Sequence, residues 1–192
     1  MRIATLVFCA AFGAALPAWA APRLPAYAPG AAAEARPLAP AQRLERRFLQ
    51  VSASNMRFQA EASRLAAQRS NNPAVKDLAN TLMSRQQTAQ PELLRLLHAR
   101  GMALPILTND HGKVLKQLSK VNGAKFDRLY VDEVVVRSYQ MDIANYEKLA
   151  TQAEDPVLKA WVERQLPVLR HHAAKAQKVL PGGAILRGQR AV

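Results

Sequence analysis

Ala66-Ala67-Gln68-Arg69-Ser70-Asn71-Asn72-Pro73-Ala74-Val75-Lys76 is the stretch that decides the fold. The polar run Ser70-Asn71-Asn72 ends one apolar-periodic segment. Pro73 opens the next, at a first helical position where its missing N–H costs nothing. Two long helices therefore fold back on one another across roughly residues 55–100, and the rest of the chain supplies a second pair to cover them. Upstream, Leu44, Phe48, Val51, Phe58, Ala62, Leu65 and Ala66 recur at steps of three and four, which predicts an amphipathic helix from about Ala41 to Arg69. Downstream, Val75, Leu78, Ala79, Leu82, Ala89, Leu93 and Leu97 predict a second helix from Pro73 to Arg100. Pro91 lacks the N–H that would bond the Gln87 carbonyl and predicts a kink; Gly101 is placed as the C-cap.

Residues 102–122 form the longest connection, with a short helix expected over Asp110 to Ser119; a link of this size in a compact bundle carries function or crosses its end. A third helix is expected from about Ala124 to Ala153, with Phe126, Tyr130, Val134, Met141 and Leu149 on one stripe. Tyr139 and Tyr146 are placed on its flanks. Asp155-Pro156 makes a second tight turn with the Asp at a cap position. The fourth helix, Pro156 to Val179, presents Leu158, Trp161, Val162, Leu169 and Ala176, and Pro167 predicts a bend in it. Four long helices joined short, long and short make an all-α chain, a four-helix bundle with the long connection between helices 2 and 3.

The ends read differently. Arg2, the apolar stretch Ile3 to Leu16 and Ala18-Trp19-Ala20 have the layout of an export signal cleaved after Ala20, so residues 1–20 are expected to be removed and the chain to be periplasmic. That stretch is shorter than the ~20 apolar residues a membrane-spanning helix needs, and no later segment reads as a span. Residues 21–40, with Pro22, Pro25, Pro29, Pro37 and Pro40, read as an Ala/Pro-rich linker. The bundle is expected over 41–180 and a basic tail over 181–192. The single cysteine, Cys9, falls inside the signal, so stability must come from the core.

Lys and Arg number 27 against 14 Asp and Glu, a formal net charge of +13. Only Arg2 among the charges lies in residues 1–20. The cations are scattered (Arg43, Arg57, Arg64, Arg95, Lys116, Arg128, Lys159) and do not alternate with aromatics, so nucleic acid is not the expected partner. In an exported chain the expected anions are envelope components, such as lipid headgroups and lipopolysaccharide phosphates, or acidic proteins.

Pro73-Ala74-Val75-Lys76-Asp77-Leu78-Ala79, Phe126-Asp127-Arg128-Leu129-Tyr130 and Leu166-Pro167-Val168-Leu169-Arg170-His171-His172 together resemble the exported bacterial DUF4142 family, in order and spacing, over about Phe48 to Gln177. The resemblance implies a ferritin-like bundle of unknown function. The family usually shows a Glu in its first helix, an Asp-His pair in the second and a His in each of the third and fourth. In a ferritin-like fold such residues imply a metal site at the bundle centre. By position they fall here on Gln59, Arg85-Gln86, Ser138 and His172, and only the last is kept.

Helical spacing independently sets Gln86 (four after Leu82), Ser138 (four after Val134) and His172 (three after Leu169) on core-facing stripes, and Gln59 between Asn55 and Ala62. His171, its neighbour, is expected to face solvent. One reading is a hydrogen-bonded central polar layer that binds nothing, since buried polar groups must satisfy one another. The alternative is a site for iron, manganese or zinc built from His172 with Glu61 or Glu133. Amide and hydroxyl oxygens are poor transition-metal ligands, and no Glu here has a His three residues on. A small-ligand site between the helices at Pro91 and Pro167 is a third. No nucleophile with a paired base and no Gly-rich phosphate loop is present, so the expected function is non-enzymatic, without a cofactor.

Overall fold

Ser70 leaves the helix it ends in extended backbone (φ −68°, ψ 140°), and the chain reverses as its sequence predicts. The computed structural model describes residues 37–179. The expectations for the export signal at 1–20, for most of the linker at 21–40 and for the tail at 181–192 lie outside the described residues. Helix α1 spans Pro40–Arg69 and helix α2 spans Pro73–His98. Pro73 occupies the first turn of α2 beneath Asn72, whose side-chain oxygen accepts from the Ala74 N–H at 2.9 Å.

At the far end of α2, Gly101 takes φ 61°, a left-handed conformation that glycine adopts without a Cβ penalty. Its N–H donates to the His98 carbonyl at 2.9 Å and the Met102 N–H to the Leu97 carbonyl at 3.1 Å. These bonds satisfy the last carbonyls of the helix, and Met102 is buried beside it.

Helix α3, Asn109–Lys120, lies within the long connection. Next come α4 (Gly123–Leu129), a π-helical segment (Tyr130–Arg137) and α5 (Ser138–Gln152), which follow one another without a break as one long helical run. Helix α6 spans Pro156–Val179, and Asp155 caps it by accepting from the N–H groups of Val157 (2.8 Å) and Leu158 (3.1 Å). The described residues are all-α. The principal packing pairs run round a square: α1 against α2, α1 against the π segment and α5, those two against α6, and α6 against α2. This fits a four-helix bundle in which α2 and the 123–152 run occupy opposite corners. The connection between them is long because it joins helices that are not neighbours. Pro91 and Pro167 both lie on exposed faces of their helices.

Two expected faces are corrected. Met141 was assigned to the core stripe of the third helix, yet it is 57% exposed, while Tyr139 and Tyr146, assigned to the flanks, are buried. The cause is the π segment: its hydrogen bonds reach one residue further than those of an α-helix, so each turn takes up more chain and the buried stripe advances. Past Arg137 the inward positions are Ser138, Tyr139, Asp142, Tyr146 and Leu149. Val51, expected in the core, is on the exposed side of α1, and its place is taken by Leu49, Ser52 and Ala53. Phe48 packs edge to face against Tyr146, with centroids 4.8 Å apart, and against Trp161, while Tyr146 and Trp161 meet at a tilt.

The connection is fastened by Arg69. Its guanidinium donates to the carbonyls of Leu118 (3.0 Å) and Val121 (3.1 Å) and to the Asn122 side chain (2.7 Å), and lies 5.3 Å from the Phe126 ring centroid. At the other end of α3, His111 stacks on Phe58 at 4.4 Å with the rings nearly parallel. Arg69→Ala removes the anchor and leaves the carbonyls to water. Amides of α3 are expected to exchange with solvent at least about tenfold faster, the equivalent of ~1.4 kcal/mol, while those of α6 are unchanged. Hydrogen exchange by mass spectrometry reads both helices in one experiment.

Candidate functional site

The bundle interior holds a polar layer to which all four long helical runs contribute. From α1 come Asn55 and Gln59, from α2 Arg85 and Gln86, from the third run Ser138, Tyr139 and Asp142, and from α6 His172; all are buried. Each sits there because its spacing matches the apolar residues around it. Arg85 is three after Leu82 and four before Ala89, and Asp142 is four after Ser138 and four before Tyr146.

Asp142 is the hub. The Asn55 amide donates to its Oδ1 at 2.6 Å, and the Gln59 amide donates to its Oδ2 at 2.7 Å and to the Ser138 hydroxyl at 2.8 Å. One turn further along α1, the hydroxyls of Ser63 and Tyr130 lie 2.9 Å apart and share a hydrogen bond. The layer thus ties α1 to the π segment and α5 by polar bonds at the point where the helical register shifts.

The other half of the layer is less fully bonded. The Arg85 side chain is only 7% exposed, and its guanidinium carbon is 5.7 Å from the Tyr139 ring centroid. Tyr139 is in turn 6.2 Å from the His172 ring. Gln59 Oε1, Arg85 Nε, Gln86 Nε2, the Tyr139 hydroxyl and His172 Nδ1 are buried and meet no hydrogen-bond partner among the described residues. Such groups are few in a native interior, and here five belong to one layer.

Burial sets the ionisation of these groups. Desolvation raises the Asp142 carboxyl above the usual carboxylate range, against the pull of Asn55, Gln59 and the Arg85 charge. Burial also raises the Tyr139 hydroxyl to about 12, with Arg85 working in the opposite sense. His172 is lowered to about 4, first by desolvation and then by the Arg85 charge, so its ring is neutral near pH 7.

Gln59, Gln86, Ser138 and His172 all lie inside the bundle. Glu61 and Glu133, the carboxylates considered alongside His172, do not join them: Glu61 accepts from Arg57 at 3.1 Å and Glu133 from Arg137 at 3.0 Å, both as one-turn pairs on partly exposed faces. His171 is exposed beside its buried neighbour. Among the described residues no three His, Cys, Asp or Glu side chains form a group that could hold a metal ion. The donor chemistry agrees: both oxygens of Asp142 already accept amides, Gln59 and Ser138 offer only amide and hydroxyl oxygens, and a fixed guanidinium stands in the same layer. These residues do not fit the metal that a ferritin-like centre implies. Spacing had pointed to four of the layer's members and the family resemblance to the position of Arg85; Asp142, the buried carboxylate, was missed.

The sequence matches the family model described as Domain of unknown function (DUF4142) over residues 29–179. The chain belongs to the DUF4142 family. In this DUF4142 chain the match takes in every described helix and all of the polar layer. Comparison with curated proteins and with solved structures returns no match for it.

Proposed function

We propose that this DUF4142 chain is exported to the periplasm, with its signal cleaved after Ala20, and acts there as a non-enzymatic binding bundle whose basic surface meets anionic envelope components. The observation that carries this reading is a groove of about 380 Å³ between α1 and α5, lined by Leu44, Arg47, Phe48, Val51, Asn145, Lys148 and Leu149. Its floor is apolar, its two charges are both positive, and no acidic side chain lines it. Arg47 and Lys148 are exposed and form no ion pair among the described residues, nor do Arg43, Arg64 or Lys116. A cationic rim over an apolar floor suits a lipid whose headgroup carries phosphate. The formal charge of +13 adds long-range attraction to such a surface.

Sedimentation with vesicles of phosphatidylglycerol and phosphatidylcholine tests this. Binding to the anionic vesicles is expected, weakening steeply as salt rises and absent on neutral vesicles. Reversing both charges in Arg47→Glu with Lys148→Glu should weaken it at least about tenfold, since each cation near an anionic surface contributes ~1 kcal/mol. Binding that is absent, or indifferent to salt and to these substitutions, would refute the reading.

A further inference from the structure

A buried guanidinium is costly unless something in its surroundings requires its charge. Arg85 points into the bundle from a core position of α2 and lies against the face of Tyr139, a contact suited to a planar, weakly hydrated cation. The same layer contains one buried carboxylate, Asp142, which has amide donors on both oxygens but, among the described residues, no cation within ion-pair distance. Asp142 and Arg85 are the layer's two buried formal charges, of opposite sign, contributed by helices at opposite corners of the bundle. We infer that Arg85 is the resident cation of this layer: it supplies from within the chain the positive charge that balances Asp142, and in doing so keeps divalent metal ions out of the bundle centre. The inference is independent of the envelope-binding proposal and would stand if that proposal failed.

The test installs a ligand set and asks whether Arg85 is what excludes the metal. Gln59→Glu, Gln86→His and Ser138→His, made together, add a carboxylate and two imidazoles to the layer that holds His172. The same triple is then combined with Arg85→Met, which keeps the length of the side chain and removes its charge. Zinc alone is the probe, its affinity read by competition with a chromophoric chelator, with folding followed by circular dichroism. The variant lacking Arg85 is expected to hold one zinc per chain at least about 100-fold more tightly than the variant that keeps it, because two like charges no longer share the site. Affinities within tenfold of each other, whether both tight or both negligible, would overturn the inference. If either zinc variant fails to fold, urea midpoints of Arg85→Met, Asp142→Asn and the pair decide instead. Charge balance predicts that the double substitution shifts the midpoint by clearly less than the sum of the singles; additive shifts would overturn it.

Discussion

Asp142→Leu is expected to destabilise the protein by about 3–5 kcal/mol, the range seen when one partner of a buried charged network is removed. The Asn55 amide loses its acceptor and the Gln59 amide keeps only Ser138. Each orphaned buried donor costs ~1–3 kcal/mol, and the charge of Arg85 is left without its counterpart. Asp142→Asn should cost less, because it keeps an acceptor for the amides and loses only the charge that faces Arg85. An amide at position 142 presents one oxygen to accept, and its N–H can donate to Gln59 Oε1, which has no partner in the native layer. Urea unfolding of the two variants at pH 7 separates these outcomes. Similar losses for both would mean that the charge of residue 142, which both variants remove, and not its hydrogen bonds, sets the cost.

His172 makes the second large effect, and it depends on pH. The folded-state value, about 4, lies below the ordinary 6.5 of histidine, because burial and the Arg85 charge disfavour the imidazolium. A group with a lowered folded pKa takes up its proton more readily in the unfolded chain. The stability it contributes is therefore complete above pH 6.5, falls as pH drops from 6.5 toward 4, and changes no further below that. The ring lies close enough to the surface for solvent to moderate the shift, and about 2–3 kcal/mol is expected over the window. Asp142, raised by burial, works the opposite way, so the contribution of His172 is read as a difference. His172→Leu should lose less stability than the native chain between pH 7 and pH 4.5. Equal losses would place the titrating group elsewhere.

The bundle was legible in the sequence because its signals are local and redundant. The Asn72-Pro73 turn carries its own cap, Gly101 stands where a left-handed residue is needed, and α6 begins at Pro156 and reaches Val179 as the apolar spacing requires. The centre was only half legible. Gln59, Gln86, Ser138 and His172 follow from spacing measured against nearby apolar residues. Arg85 lies on the same stripe as Leu82 and Ala89, but arginine is so seldom buried that only the family resemblance, and not its spacing, marked the position. Asp142 was hidden by the π segment: extrapolating the α-helical period from Val134 lands on Met141, and the register shift across Tyr130–Arg137 moves the inward position one residue on. A run of helical sequence does not announce where its hydrogen bonds lengthen to the fifth residue, and the buried carboxylate lay just beyond that point.

The central proposal is that a hydrogen-bonded layer with its own internal cation fills the place where a ferritin-like bundle would hold metal. The most direct measurement is the metal content of the chain, produced without a histidine tag, loaded with iron, manganese and zinc, desalted, and counted by mass spectrometry. The account predicts well under one-tenth of an equivalent of any metal per chain, unchanged in His172→Ala. Near-stoichiometric metal that disappears in His172→Ala would contradict it.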